Sequence, residues 1–279
     1  MERATAMVIA THPTTQAHVV NVRRLLSCIP AARVILSTST ELVPWMENAF
    51  SDIRAQVVSS NNDRLDTGKW CAGLRVLGKL ARYRWIVLAN DSVFLLRTVP
   101  QLFGALASGR YDMVGPVSTS SGWDTSIETS YHIQSFMRGF TQAGVRLWRD
   151  YSCSLPPTHH SFSSKRAIVV YHEIGSSQLY NRSRLFSLFD GDAKAAGAPY
   201  GRGKPWHRNF TFWNESWPRG FPVAKGPQVG MVCPDHAHDQ IGADRGLVEC
   251  LEAKFGSCQP PHSHGAFRHG RESTRRRSP

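Results

Sequence analysis

Short apolar runs alternate with segments of helical periodicity along the first 115 residues. The apolar runs predict strands at residues 6–10, 33–37, 55–58, 85–89 and 111–115. The periodic segments between them predict helices over residues 16–28, 44–50, 70–82 and 99–107. Strands and helices that alternate in this way indicate an α/β fold, with a mostly parallel sheet and helices on both of its faces.

The second half of the chain is less regular. Residues 118–130 predict a polar loop, and residues 131–140 predict a strand that leads into a helix over 141–151. Residues 169–174 predict a strand end that leads into a helical segment through residue 188. Residues 191–227 are rich in Gly, Pro and Trp, which predicts a loop-rich lobe that closes over a site.

These patterns predict one domain over residues 1–255. We expect its nucleotide-binding half at about residues 1–115 and its acceptor-binding half at about residues 116–255. Residues 256–279 carry five arginines between positions 268 and 277, which predicts a basic, disordered tail.

The net charge of +12 is unevenly placed, and the five arginines of that tail stand against a single glutamate. No helix-turn-helix, zinc-finger or aromatic RNA-binding pattern accompanies the charge, so we expect no nucleic-acid partner. The tail offers a peripheral contact with an anionic membrane. The sequence has no apolar run of about 18 residues and its first residues lack the pattern of a secretory signal, so we expect a cytoplasmic location.

The interpretation of the cysteines and of the N-x-[ST] motifs depends on that expected location. The cysteines stand at positions 28, 71, 153, 233, 250 and 258, and none forms a C-x-x-C pair. For a cytoplasmic chain they predict buried thiols rather than disulfides, and their spacing matches no common zinc module. N-x-[ST] occurs at Asn90, Asn181, Asn209 and Asn214, where we expect no glycan without a signal peptide.

The apolar run at 85–89 ends abruptly in Asn90, Asp91 and Ser92. A carboxylate that follows a buried strand lies at the rim of an open α/β sheet, where ligands bind. Such a hard-oxygen ligand can hold Mg²⁺ or Mn²⁺ against a diphosphate. The alternative is a strand-to-helix turn in which Asp91 acts only as a cap.

Four blocks of sequence follow one another along residues 5–230. They are Leu-Ala-Asn-Asp-Ser-Val at 88–93, Tyr-His-Ile-Gln-Ser-Phe at 131–136, Tyr-His-Glu-Ile-Gly-Ser at 171–176, and Asn-Phe-Thr-Phe-Trp at 209–213 ahead of Gly-Phe-Pro-Val-Ala-Lys at 220–225. Together they resemble the rhamnan synthesis F-like glycosyltransferases and the related transferase domains of large algal viruses.

This resemblance implies a GT-A-like fold and a hexosyltransferase that uses a nucleoside-diphosphate sugar with Mn²⁺ or Mg²⁺. It also suggests rhamnose as the sugar and inversion at the anomeric carbon. Two departures stand out. The usual acidic motif is Asp-x-Asp, whereas here only Asp91 is acidic, and His172 interrupts the third block.

Glu173 is the candidate for the catalytic base, because the resemblance places it where inverting GT-A enzymes carry the carboxylate that deprotonates the acceptor hydroxyl. Asp124 and Glu128, in the polar loop, are the next candidates. Glu173 could instead cap the helix that follows it. His132 and Gln134 alternate along a predicted strand, which favours contacts with the donor or acceptor sugar over two satisfied core residues.

The expected nucleotide pocket consists of Thr11, His12, Asp66, Lys69 and Asn90. The first two follow the first strand, where GT-A enzymes hold the base and ribose. The carboxylate of Asp66 could accept hydrogen bonds from the base or ribose, or cap the next helix. The ammonium of Lys69 could contact a phosphate as a point charge.

The sequence as a whole predicts a glycosyltransferase that extends a glycan or polysaccharide. Trp213, in the loop-rich lobe, could stack on a sugar ring or anchor the loop to the core. The incomplete acidic motif favours one alternative, a non-catalytic carbohydrate- or nucleotide-binding module of the same fold. A third hypothesis is a basic protein that docks on nucleic acid or membrane through its tail.

Overall fold

A computed structural model of the chain describes residues 5–13, 16–95, 98–119, 131–190 and 223–225, together with Glu249 and Ala253. The predicted tail at 256–279 and most of the predicted loop-rich lobe lie outside these ranges, so the proposed domain limits stay predictions. Across the described ranges, no helix has the length and apolarity needed to cross a bilayer.

Four parallel strands form one side of the sheet. They are β1 (Thr5–Ala10), β2 (Arg33–Thr38), β3 (Ala55–Ser59) and β4 (Trp85–Asn90), in the order β3-β2-β1-β4. The helices that follow the first three strands are α1 (Gln16–Cys28), α2 (Val43–Ala49) and α3 (Leu65–Leu77). The strands of this half agree with the sequence prediction, because β1, β2 and β4 are apolar runs that are buried along almost their whole length. Strand β3 lies at the edge of the sheet and is only partly buried.

The rest of the described chain extends the sheet beyond β4. Its elements are β5 (Val93–Leu95), α4 (Pro100–Ala107), β6 (Met113–Thr119), β7 (His132–Ile133), β8 (Met137–Thr141), α5 (Gln142–Ser152), α6 (Lys165–Ile168), α7 (Gly175–Ser177), β9 (Leu185–Asp190) and β10 (Val223–Lys225). Strand β8 lies antiparallel between β4 and β6, while β9 runs parallel to β6. Strand β7 pairs with β6, and β10 pairs with β5 as a separate ribbon. The fold is α/β with a mixed, largely parallel sheet, as expected.

Four segments differ from the sequence prediction. The helix predicted over residues 70–82 begins earlier and forms α3, and residues 185–188, predicted as helical, form the start of strand β9.

The other two segments lie near the predicted site. Residues 131–140 form β7, a turn and β8 rather than one strand. Residues Val169–Ile174 form a π-helical segment between α6 and α7. The short run Val-Val-Tyr at 169–171 is β-branched and aromatic, and a run of this kind cannot be distinguished from a buried helical segment by residue type alone.

The core lies on both faces of the sheet because side chains alternate along each strand. Met7 and Ile9 of β1 pack on the face covered by α1 and α4. Val8 and Ala10 pack on the opposite face, which α3 and α5 cover with Trp70 and Trp148 among others. Burying a large apolar side chain stabilises the fold by about 1.5–3 kcal/mol, so these two layers hold the strand ends in place.

A disulfide joins Cys71 of α3 to Cys153, which follows α5. Cys28 is also disulfide-bonded. The prediction of buried thiols is therefore wrong at these three positions. It depended on an expected cytoplasmic location, and the side-by-side packing of α3 and α5 that brings the two sulfurs together is a tertiary contact that residue spacing does not show.

The packing of α5 on the β6 side gives a first testable prediction. A Cβ added at Gly144 would lie 2.2 Å from the backbone oxygen of Asp112, which cannot move aside as a flexible side chain could. We expect Gly144→Ala to lower the free energy of unfolding by about 2 kcal/mol or more. Urea denaturation with intact disulfides measures it.

Gly104, within α4, is the matched control because an added Cβ would meet nothing within 4 Å. We expect Gly104→Ala to raise the free energy of unfolding by about 0.5–1 kcal/mol, since alanine favours the helical state. Equal effects of the two substitutions would contradict the described contact between α5 and Asp112.

Candidate functional site

The carboxyl ends of β1 and β4 lie side by side, because the strands are parallel and Ala10 pairs with Asn90. The backbone N–H of Asp91 donates to the backbone oxygen of Ala10 at 3.1 Å. The residues that follow these two strands therefore share one edge of the sheet. In open α/β sheets this edge is where ligands bind.

Asp91 is held at this edge through one of its two carboxylate oxygens. Its Oδ2 accepts hydrogen bonds from the hydroxyl of Thr11 at 2.9 Å and from the backbone N–H of His12 at 2.7 Å. The side chain is half-buried, and no hydrogen bond joins its Oδ1 to the described residues. The carboxylate is thus fixed in place while one oxygen is left available to a ligand.

Asn90 is a structural link rather than a free ligand group. It is only 7% exposed, and its Nδ2 donates to Oδ2 of Asp66 at 2.8 Å. Its Oδ1 accepts from the backbone N–H and the hydroxyl of Ser92. Both ends of the amide are therefore engaged, and the bonds tie the end of β4 to the first turn of α3.

Lys69 is a buried ammonium group beneath this edge. It is 2% exposed, and no hydrogen bond or ion pair joins it to the part of the chain that the structure describes. Burial lowers the pKa of Lys69, while the negative charges of Asp66, Asp91 and Glu41 act to raise it. A buried cation without a direct partner is costly, so this position favours an anion.

Asp66 lies on the same side of α3 as Lys69, since residues three apart are neighbours on a helix. Burial is the main cause that raises the pKa of Asp66, and the charges of Asp91 and Glu173 raise it further. The hydrogen bond from Asn90 and the charge of Lys69 act in the opposite direction. The pKa of Asp66 therefore responds to the charges of three neighbours at this edge, which are Asp91, Glu173 and Lys69.

Glu173 lies in the π-helical segment, not at the end of a strand as predicted. Its Oε1 accepts from the backbone N–H of Ser135 at 3.4 Å. The next residue, Phe136, accepts through its backbone oxygen from the N–H of Asn90 at 3.0 Å. The turn before β8 thus lies between Glu173 and the end of β4, which places this carboxylate beside the Asp91 edge.

Arg138 of β8 supports this arrangement and was not recognised in the sequence. It is 1% exposed, and its guanidinium donates to the backbone oxygens of Ile133 and Glu173 and to the hydroxyl of Ser176. Burial lowers the pKa of Arg138 to about 10. Unpaired backbone oxygens of the π-helical segment can bind such a donor, but only the folded chain shows that they lie beside β8.

His172, next to Glu173, has a structural role. It is buried and stacks on Phe162 with ring centroids 4.3 Å apart. Its Nε2 lies 2.9 Å from the hydroxyl of Ser161. Burial lowers the pKa of His172 to about 4, so the ring is neutral at physiological pH.

The remaining predicted residues divide into two groups. His132 is buried in β7 and Gln134 is half-buried just after it. Since His132 pairs with Thr119 at the carboxyl end of β6, both lie on the same edge of the sheet as Asp91. Asp124, Glu128 and Trp213 lie outside the described residues.

The structure adds Ser39 and Glu41, which follow β2 and were not named from the sequence. The hydroxyl of Ser39 lies 3.1 Å from Nδ1 of the exposed His12. A hydrogen bond with Ser39 is the main cause that lowers the pKa of Glu41, and the charges of His12 and Lys69 contribute. The rule that ligands gather at the carboxyl ends of strands could have identified both residues.

Among the described residues, no three or more His, Cys, Asp or Glu side chains lie close enough together to hold a metal ion. A cavity of about 230 Å³ lies elsewhere, beside α3, where Asn61, Arg64 and Arg75 line it with others. It contains none of the predicted site residues.

No protein-family model matches the chain, and comparison with curated proteins finds no match. The resemblance to the rhamnan synthesis F-like transferases therefore stays a prediction.

Among solved structures, the chain is similar to 4-diphosphocytidyl-2C-methyl-D-erythritol synthase from Anaerococcus prevotii DSM 20548, with a TM-score of 0.44 and 8% identity over 75% of this chain and 95% of that chain. It is also similar to the bifunctional IspDF from Campylobacter jejuni, with a TM-score of 0.38 and 12% identity over 62% of this chain and 48% of that chain. Values this low carry no argument about activity, so function must be argued from the site.

The buried His172 predicts a loss of stability in acid. The unfolded chain binds a proton near the ordinary pKa of 6.5, whereas the folded chain resists it down to about 4. The free energy of unfolding should therefore fall as the pH drops from about 6.5 to about 4, by on the order of 3 kcal/mol. Urea denaturation across this pH range measures it.

His172→Gln should flatten this part of the pH profile, because glutamine does not titrate. The matched control is His160→Gln, at an exposed position. This substitution should leave the dependence of the unfolding free energy on pH unchanged. An acid-induced loss that persists in His172→Gln would show that another group causes it.

Proposed function

We propose that the chain is a glycosyltransferase that transfers a sugar from a nucleoside-diphosphate sugar to a hydroxyl of a glycan or polysaccharide. Rhamnose is suggested by the sequence resemblance alone. The observation that carries the proposal is the juxtaposition of Asp91, a fixed carboxylate with one available oxygen, and Lys69, a buried ammonium without a direct partner.

The diphosphate of the donor suits Lys69. A phosphate oxygen that reaches the ammonium would supply the partner that the described residues do not, and would do so where water is largely excluded. Asp66 lies about one helical turn before Lys69, at the start of α3. Because Asp66 is half-buried and has a raised pKa, it can accept or share a proton with a ribose hydroxyl or a base.

The hydrogen bonds within the site separate the residues predicted to contact the nucleotide into positioning residues and residues for direct contact. Thr11 and Asn90 already use their side chains to hold Asp91 and Asp66. We therefore assign them a positioning role. His12 is exposed beside the edge and is the better candidate for direct contact with the base or ribose.

Asp91 would hold Mg²⁺ or Mn²⁺, because its Oδ1 is a hard oxygen ligand without a hydrogen bond to the described residues. Mg²⁺ commonly keeps several waters and takes further ligands from phosphates, so one carboxylate fits this donor set. When bound, the ion would neutralise negative charge on the departing diphosphate.

Glu173 would act as the base. The acceptor oxygen forms a bond to the anomeric carbon while the bond from that carbon to the diphosphate oxygen breaks. The electron pair of the broken bond leaves with the nucleoside diphosphate, and the acceptor proton passes to Glu173. Attack from the face opposite the leaving group inverts the anomeric carbon.

His132 and Gln134 are our candidates for contacts with the donor or acceptor sugar, because they lie on the same edge of the sheet. Arg138 is a positioning residue, since it binds the backbone oxygen of Glu173 from within the core. Asp124 and Trp213 keep their proposed roles in catalysis and sugar binding.

One observation favours a second candidate function, a non-catalytic module that binds carbohydrate or nucleotide. The described residues contain no cluster of three metal-ligating side chains. Such a module would bind a glycan or a nucleotide without metal dependence and would not turn over a donor, which separates it from the enzyme.

Nucleotide binding is predicted to depend on Asp91 and Lys69 in different ways. In a thermal-shift panel of nucleoside diphosphates with and without Mn²⁺, one nucleotide should raise the melting temperature most when Mn²⁺ is present. Asp91→Asn should abolish the increment due to Mn²⁺. Lys69→Met should weaken binding about 10- to 100-fold, with and without Mn²⁺, by titration calorimetry.

Asp150→Asn is the matched control, because Asp150 is an exposed residue of α5 that pairs with Arg149. It should leave both binding and the effect of Mn²⁺ unchanged. Nucleotide affinity in Asp91→Asn that still rises with Mn²⁺ would exclude Asp91 as the metal ligand.

Glu173→Gln is predicted to reduce kcat about 10²- to 10⁴-fold, since the amide cannot accept the acceptor proton. Its oxygen can still accept from Ser135, so nucleotide affinity should stay within about threefold of the original. Turnover of the donor identified in the binding panel is measured with and without acceptor.

The control is Glu47→Gln, an exposed position on α2, which should retain full activity. A Glu173→Gln variant with more than about a third of the original kcat would exclude Glu173 as the base. Binding without turnover by the unaltered chain for every donor would favour the non-catalytic module.

A further inference from the structure

We propose that Asn181 is an acceptor of an N-linked oligosaccharide, attached while the chain folds in an oxidising, glycosylating compartment. The ligand class is a lipid-diphosphate-linked oligosaccharide. This inference does not depend on the proposed transferase activity, and it replaces the cytoplasmic location expected from the sequence.

The cystines indicate the compartment. Cys71 and Cys153 are joined, and Cys28 is also disulfide-bonded. Disulfides persist in secreted, lumenal and periplasmic proteins and are rare in the cytosol, where thiols are kept reduced. All three cysteines of the main described ranges are therefore in the state expected of an oxidising compartment.

The asparagines of the sequence support a glycosylating compartment. Four of the eight asparagines have Ser or Thr two positions later without an intervening proline. Ser and Thr together make up 43 of 279 residues, or 15%, so eight asparagines would be expected to give about one such site by chance. The motif is thus more frequent than composition explains.

Asn181 is the site that the structure presents to an enzyme. Asn181, Arg182 and Ser183 are all exposed, in the connection between α7 and β9. The Oδ1 of Asn181 accepts from the backbone N–H and the hydroxyl of Ser183, each at 3.0 Å. Its Nδ2 has no hydrogen bond to the described residues, so the reacting nitrogen is available.

Asn90 provides the contrast within the same chain. It belongs to an identical type of motif, but it is 7% exposed and its Nδ2 donates to Asp66. A glycan there would break this bond and could not be accommodated in the folded core. The structure therefore distinguishes one usable motif from one that is not usable.

The location of Asn181 is compatible with an active site. It precedes β9, whose first residue, Leu185, pairs with Met113 at the start of β6. Asn181 therefore lies at the amino ends of these parallel strands, whereas Asp91 lies at a carboxyl end. A glycan on Asn181 would extend from the edge opposite the candidate site and leave it open.

The modification is a group transfer in which Nδ2 of Asn181 attacks the anomeric carbon of the lipid-linked oligosaccharide. A nitrogen–carbon bond forms, and the bond from that carbon to the diphosphate oxygen breaks with its electron pair leaving on the lipid diphosphate. The proton lost from Nδ2 passes to a carboxylate of the transferring enzyme.

The test is peptide mapping by mass spectrometry of the full chain produced in eukaryotic cells with an added secretion signal. More than half of the molecules should carry a glycan at Asn181 that peptide-N-glycosidase removes, while the peptide with Asn90 stays unmodified. Mapping without reduction should recover the Cys71–Cys153 peptide pair from the same molecules.

Ser183→Ala should abolish modification of Asn181, and the conservative Ser183→Thr should retain it. Both variants alter the side chain at position 183, but Ser183→Thr keeps the hydroxyl of the motif. A loss of glycosylation that came from a disturbed fold would therefore appear in both variants. Unmodified Asn181 in the secreted chain overturns the proposal, as do free thiols at Cys71 and Cys153 or a glycan on Asn90 in disulfide-bonded molecules. An unmodified Asn181 would leave the proposed nucleotide binding and turnover unaffected, because Asn181 lies away from the candidate site.

Discussion

The hydrogen bonds from Thr11 and His12 to Asp91 are the contacts on which the candidate site depends. They exist because β1 and β4 are adjacent and parallel, so the chain that leaves one strand meets the chain that leaves the other. Both strands are buried on two faces, and packing of α helices on each side fixes their ends. A rigid frame therefore sets the position of one carboxylate to the accuracy that a ligand requires.

The electrostatics of the site carry a cost to stability. Asp66 and Lys69 are both removed from water, and burial acts against the charged form of each. Direct ion pairing does not relieve this cost among the described residues, since Lys69 has only the longer-range charges of its neighbours. A stable core would place apolar side chains here, and ionisable groups whose pKa is shifted by burial in such positions are a mark of functional sites.

The first four strands and the place of Asp91 directly after one of them could be predicted from the sequence, because most of these strands are apolar runs and polar residues mark the end of β4. The environment of Glu173 could not. The run Val-Val-Tyr at 169–171 is of a type common in strands, and in so short a run residue type does not distinguish a strand from the π-helical segment that forms. Arg138 was missed because most of its hydrogen bonds are to backbone oxygens, which leave no trace in residue type. The Cys71–Cys153 bond depends on helix packing that spacing does not reveal.

The same disulfide has a consequence for ligand binding. Cys71 lies two positions after Lys69 on α3 and is tied to the end of α5, which begins where β8 ends. The helix that presents the ammonium and the strand that supports Glu173 are thereby fastened together by a covalent bond whose existence depends on the surrounding thiol chemistry. A reducing environment would loosen the mutual alignment of Lys69 and Glu173 without altering either side chain.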